Sequence, residues 1–297
     1  MQDKELTGRE AMADCSRRDL FSRSLGTGIV LAGAWVAGCG SRSGTLRPAI
    51  AQTGSDGNVA RDIDILNFAL NLEYLDSEYY TYATTGQGIE AFGVGITGQG
   101  TAGPTVGGGR ISFGDARLEA IANQIAADER AHVNVLRQTI TQLGGTPIAK
   151  PRIDLATPPR NLGIDPTTPD GFLLATRSFE DVAVSAYTGT SRFLFNPDVI
   201  QNAGRAAVTE AYHGGVVRLL IAQRNLTAVA LDGKDIPPPP ATQQYFPTEI
   251  GSTGFPPVRT PREVLNIVLQ AQTGNETRGG FFPNGPNGNL ATLLALT

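Results

Sequence analysis

The sequence is short of histidine, cysteine and charge. It holds two histidines and two cysteines in 297 residues. Both cysteines, Cys15 and Cys39, fall in the N-terminal segment, so the remaining chain has neither a free thiol nor a disulfide, and cysteine chemistry is excluded there. Charged residues make up 18%, the net charge is −4 and no basic run occurs, which argues against a nucleic-acid partner. The apolar stretch from Leu25 to Ala37 is too short for a permanent membrane span. No repeat of solenoid length is present. What remains is a 40% hydrophobic share, enough for a sizeable core, with 36 Gly and 19 Pro that predict long irregular connections.

The N-terminus carries two motifs. Ser16-Arg17-Arg18-Asp19-Leu20-Phe21 resembles a twin-arginine export signal, with the Phe and Leu positions exchanged and no lysine following. The apolar stretch ends in Val36-Ala37-Gly38-Cys39, which resembles a lipobox and makes Cys39 the residue expected to carry lipid. A rival cut follows Ala49-Ile50-Ala51, and a single-pass anchor or an uncleaved apolar N-terminus is the third reading. Residues 1–39 are thus expected to be a signal segment and residues 40–58, rich in Gly, Ser and Thr, a flexible tether. The expected destination is the periplasm or cell envelope, with an N-terminal lipid anchor as the membrane contact.

Four helices follow from apolar periodicity. The first spans about Val59 to Thr85, with Leu66, Ala69, Leu70, Glu73, Ser77 and Tyr80 on one face. A loop of residues 86–114 with eleven glycines comes next, of a length usual for lids and mobile segments. The second helix runs from Asp115 to Leu143 and is stopped by Gly144-Gly145. A proline-rich crossover of residues 146–168 leads to a third helix from Thr168 to about Phe195. Asn196-Pro197-Asp198 then starts a fourth, to about Leu226. Two helical hairpins joined by one long connection predict an all-α, ferritin-like four-helix bundle over residues 59–230. Residues 231–297 read as an extension with a short helix from Pro261 to Gln272 and an irregular tail.

Both histidines sit three residues after a glutamate, in Glu129-Arg130-Ala131-His132 and Glu210-Ala211-Tyr212-His213. That spacing puts both side chains on one helix face. Glu73 and Glu180 lie singly on the apolar stripes of the other two helices. Ionised carboxylates on core-facing stripes cost several kcal/mol unless paired or bound to metal. Four acids and two imidazoles are the set with which a four-helix bundle holds two metal ions. Carboxylate and imidazole suit iron, manganese or zinc. The alternative is a buried polar network without metal.

The segments Leu70–Leu75, Asp128–His132, Phe179–Asp181 and Thr209–His213 resemble a bacterial ferritin-like family that includes plant desiccation-related proteins. The resemblance covers roughly residues 59–230 and matches Glu73, Glu129, His132, Glu180, Glu210 and His213 to the family's six ligand positions. It implies two divalent metal ions, iron first and manganese next, reacting with O2 or peroxide in stress protection. Two alternatives stand beside it: a non-catalytic stress protein with a structural metal site, and a manganese catalase-like activity. Tyr80 and Tyr187, seven residues after Glu73 and Glu180, read first as ordinary core tyrosines, with redox-active residues or partners that bond the ligands as the alternatives. Asp76 and Asp128 are candidate partners for imidazole N–H groups. Gly214 and Gly215, just after His213, would either let helices approach or open the site. A closed storage shell is not expected with a lipid anchor and long extensions; the oligomeric state is left open.

Overall fold

The structure is a computed structural model that describes residues 56–249 and 251–296. The twin-arginine motif, Cys39 and the rival cut after Ala51 lie outside those residues. The architecture is a ferritin-like helical bundle. Its long helices are α1 (Asp56–Thr85), α2 (Ala116–Gln142), α4 (Pro169–Ser191) and α5 (Pro197–Gln223). Shorter ones are α3 (Thr157–Asn161), α6 (Pro261–Val268) and α7 (Leu290–Leu294). Helices α1 and α2 form one packed pair and α4 and α5 the other. No helix among the described residues is long and apolar enough to cross a membrane.

Side chains at the helix starts explain the boundaries. The Asp115 carboxylate accepts from the Arg117 and Leu118 amides at 2.9 and 3.2 Å and opens α2. Thr168 caps α4 and Asn196 caps α5, each followed by a proline whose missing N–H costs nothing in the first turn. Thr260 and Glu263 form a reciprocal capping box on α6. The buried Asp62 of α1 accepts from the Phe195 and Asn196 amides, both at 2.9 Å, which pins the turn between α4 and α5 against the first helix. The third, fourth and short C-terminal helices end three to four residues earlier than their apolar patterns suggest.

Two departures from the sequence-based expectation matter for the site. First, α1 is buried all round: every side chain from Leu70 to Thr81 is buried. Its outer side is covered by the loop, the crossover and the tail. Second, the glycine-rich loop is tied down. Strand β1 (Thr105–Val106) pairs in parallel with β2 (Ile153–Asp154) of the crossover. The Gln99 amide donates to the Pro147 carbonyl at 2.9 Å and the Ala149 amide to the Gln99 carbonyl at 2.8 Å. Glycine makes this possible, since a Cβ on Gly98 would stand 2.0 Å from the Pro147 carbonyl oxygen. Ile89, Val94, Ile111 and Phe113 anchor the loop in the core. Beneath it, the buried Lys150 ammonium meets Glu78 at 2.9 Å and Thr105 at 2.7 Å.

The tail also differs from the irregular segment expected. It carries α7 and buries Phe282 and Leu293. Asn287 exchanges hydrogen bonds with Asn71 of α1, both at 2.9 Å, and donates through its amide to the Thr101 and Ala149 carbonyls. Residues 232–259 are held by buried arginines. Arg177 meets Asp181 and Asp235 at 2.9 and 2.5 Å; Arg218 meets Asp181 at 2.7 Å; Arg259 meets Asp232 at 2.7 Å. Each of these guanidiniums is paired, as burial of a fixed charge demands.

Candidate metal centre

Helix α1 supplies Glu73, α2 supplies Glu129 and His132, α4 supplies Glu180, and α5 supplies Glu210 and His213. The six side chains converge in the bundle core. All four carboxylates are 1–2% exposed. Their oxygens and the imidazole nitrogens form two groups within ligand reach: Glu73, Glu129, His132 and Glu210 in one, and Glu129, Glu180, Glu210 and His213 in the other. In each group the potential ligand atoms lie within 4.8 Å of one another. Glu129 and Glu210 belong to both.

The individual oxygens sort themselves between the two groups. His132 Nδ1 faces Glu129 Oε2 at 3.4 Å, Glu210 Oε1 at 3.0 Å and Glu73 Oε2 at 3.5 Å. His213 Nδ1 faces Glu129 Oε1 at 3.3 Å, Glu180 Oε2 at 3.4 Å and Glu210 Oε2 at 3.8 Å. Each shared carboxylate thus offers one oxygen to either histidine, while Glu73 and Glu180 serve one histidine each. The remaining oxygens of Glu73 and Glu180 are held by tyrosines from the opposite hairpin. Tyr187 of α4 donates a short hydrogen bond to Glu73 Oε1, and Tyr80 of α1 donates to Glu180 Oε1 at 2.5 Å. The helical offset of seven residues places each tyrosine two turns beyond its own helix's glutamate, and the packing of α1 against α4 crosses the pairs.

The two halves are not equivalent. His213 Nε2 lies 3.2 Å from Asp128 Oδ2, so a ring whose Nδ1 faces the cluster donates its other N–H to a carboxylate. His132 has no carboxylate at its Nε2 among the described residues, and it lines a cleft of about 40 Å³ with Leu66, Val135 and Asn202. Asp76, the other candidate partner, reaches neither imidazole; it lies against a cavity between α1 and α4 instead. Gly214 serves close approach, since a Cβ there would stand 3.3 Å from the Glu180 Cβ, whereas Gly215 has open space.

The buried charges must be compensated, by shared protons or by bound cations. Burial pushes Glu73 up to about 8, against the pull of His132. Burial likewise drives Glu180 well above the ordinary carboxylate range, against the pull of His213. Burial opposes charge on Glu210 too, but the two imidazoles at its carboxyl outweigh it and hold it at about 2. Burial works against protonated imidazoles, yet the surrounding carboxylates hold both His132 and His213 well above their usual range. Glu129 has both oxygens buried without a hydrogen-bond donor, and Glu73 Oε2, Glu180 Oε2, Glu210 Oε1 and both Nδ1 atoms are in the same position. Seven converging buried atoms that face one another without a well-formed hydrogen bond fit as ligands of divalent cations. The donor set, oxygen with imidazole nitrogen, suits iron, manganese or zinc.

Comparison with known proteins identifies the family of the fold. Residues 61–223 match the family described as "Ferritin-like domain". The ferritin-like catalase Nec2 of Nesocodon mauritianus is 24% identical over 276 residues, covering 77% of this chain and 85% of the plant protein.

Proposed function

This chain belongs to the ferritin-like domain family, and we propose that its six converging side chains hold two metal ions and that the resulting centre acts on hydrogen peroxide. The observation that carries the reading is the sharing of Glu129 and Glu210 between two ligand groups. A single ion would need only one of the two groups. Glu73 with His132 would complete one ion's protein ligands, and Glu180 with His213 the other's. Four carboxylates balance two divalent cations in charge. Iron and manganese are the candidate metals, each a redox pair able to pass electrons to and from peroxide.

The surrounding residues have definable tasks. Tyr80 and Tyr187 fix the outer oxygens of Glu180 and Glu73, so the inner oxygens stay aimed at the cluster. Asp128 sets the His213 tautomer. Ile125, Val133, Leu136 and Val217, all buried on neighbouring turns, keep bulk water from the cluster. The half-open His132 side, with its small cleft, is where a molecule of peroxide's size can reach the site. The relative named as a catalase favours disproportionation, in which one peroxide is oxidised to O2 and a second reduced to water. Oxidation of Fe(II) by O2, with a role in stress protection, is the second outcome of the same centre. Export by the twin-arginine route, with lipid on Cys39, is part of the proposal and rests on the N-terminal motifs alone.

The test is direct. The protein is loaded anaerobically with Fe(II) or with Mn(II), freed of excess metal and mixed with hydrogen peroxide at an oxygen electrode. Catalytic O2 release by either form supports the reading. A chain that takes up no metal, or that takes it up and leaves peroxide intact, would overturn it.

A further inference from the structure

A cavity of about 570 Å³ lies between α1 and α4, roofed by α3, the end of α6 and Phe281. That volume falls in the range of small-molecule sites. Its wall is more apolar than polar, with Leu75, Phe179, Val182 and Phe281 on the apolar side and Ser178 and Gln272 among the polar residues. Lys, Arg and His are absent from the described lining. Two polar atoms stand out against this background. The Asp76 side chain is 7% exposed and makes no hydrogen bond among the described residues, although it borders the cavity. Asn266 Oδ1 is buried, borders the same space and also has no donor. A buried acceptor left without a donor is unusual, and an acceptor facing a cavity is satisfied by what enters it.

We infer that this cavity binds an uncharged, largely apolar organic molecule carrying a hydrogen-bond donor, the chemistry of a phenol or aromatic alcohol, with its donor directed at Asn266 and Asp76. The lining excludes an anion, since it has no cationic side chain to pair with one. It provides ring contacts at Phe179 and Phe281, whose own centroids are 5.3 Å apart. The position is informative as well. A smaller cleft shares Leu72, Asp76 and Ala183 with the cavity and is bordered also by Glu73 and Tyr187. Asp76 therefore stands between the organic site and Glu73, the outer ligand of one metal group. Binding itself needs no metal, so this inference and the reading of the metal centre can fail separately.

Naphthol fluorescence is the probe, with methoxynaphthalene as the analogue lacking a donor and naphthalenesulfonate as the charged one. The full chain should bind naphthol saturably at one site per chain, and bind both analogues about tenfold more weakly, the loss expected when a buried acceptor goes unmet. Asn266→Leu should remove the preference for naphthol over methoxynaphthalene while keeping binding of the latter. Ser178→Trp on α4 and Ile267→Trp on α6 should each fill the space and abolish binding, with an unchanged far-UV spectrum reporting an intact fold. A folded filling variant that binds as well as the parent, or a parent that binds none of the three saturably, would overturn the inference.

Discussion

The sharing of two carboxylates makes a quantitative prediction that separates bridging from terminal ligands. Each ion of the proposed pair draws on four protein ligands, and only Glu129 and Glu210 serve both. His132→Ala removes one ligand from one group and leaves the second untouched. Glu129→Gln weakens both at once and leaves the buried charge of two divalent ions uncompensated by one unit. Ligand linkage converts this to stability: an ion present at a hundred times its Kd adds about 2.7 kcal/mol, so two add roughly 5 kcal/mol. For a domain of this size each kcal/mol moves Tm by about 2–4 °C, which gives a metal-dependent rise of roughly 10–20 °C in the parent protein. His132→Ala should keep about half of that rise and retain one ion per chain. Glu129→Gln should keep almost none and retain fewer than one. Calorimetry with and without chelator, paired with elemental analysis, reads both quantities. Equal losses in the two variants, or a full complement of metal in Glu129→Gln, would show that the carboxylate does not bridge.

Tyr187→Phe and Tyr80→Phe each remove a hydrogen bond to a buried carboxylate and should cost about 1.5–3 kcal/mol in urea unfolding. The same substitutions should loosen metal at the Glu73 or Glu180 side respectively. Arg218→Met breaks a buried pair with Asp181 and strips donors from the Tyr245 and Ile236 carbonyls, so a loss of about 3–5 kcal/mol is expected. Limited proteolysis should then cut near residues 236–246, and an uncut chain would argue that other contacts hold this segment. Gly189→Ala would set a Cβ 2.0 Å from the Arg259 carbonyl oxygen and should displace that strand of chain from α4 at a cost of about 1–3 kcal/mol. The pH dependence has a definite sign for the metal-free protein. Glu73 and both histidines hold protons more tightly folded than unfolded, so their contribution is complete below the unfolded pKa and falls as pH rises. For Glu73 the fall lies between 4.5 and about 8. Urea midpoints measured with chelator should therefore drop across that window, and metal uptake should release protons; a midpoint that climbs throughout would contradict the assignment.

The centre was legible because its ligands come in a local code. Glu-x-x-His fixes two side chains on one helical face regardless of what packs outside, and glutamates on apolar stripes call for a partner. What surrounds the ligands depends on long-range contacts that a linear pattern does not carry. Tyr80 and Tyr187 could be placed on the right faces, but their exchange between α1 and α4 follows from how the hairpins dock. Asp128 and Asp76 looked alike in sequence; one meets His213 and the other borders a cavity, a difference set by helix rotation. The loop at 86–114 looked unstructured because glycine carries no periodicity, whereas its glycines are what let two short strands pass closely. Arg177, Arg218 and Arg259 carry no local pattern that marks them as buried. Their burial depends on acids as far as 58 residues away in the chain.

The crossed tyrosines tie the fold to the chemistry in a particular way. Within either hairpin alone, the terminal glutamate would have no phenol at its outer oxygen, because the phenol belongs to the other hairpin. Each shared carboxylate likewise faces a histidine from its own hairpin and one from the partner hairpin. Four buried acids in one spot oppose docking of the two hairpins, and the proposed metal would offset that opposition only once both hairpins contribute ligands. Bundle closure and site assembly are therefore one event. Because Asp128 supports His213 alone, the two positions within that single event still differ: the His213 side has its imidazole fixed and enclosed, while the His132 side has a freer imidazole beside a cleft. On the proposed activity, a peroxide molecule approaching the centre would meet the second side first, which would make His132 and Glu73 the pair at which ligand exchange is least hindered.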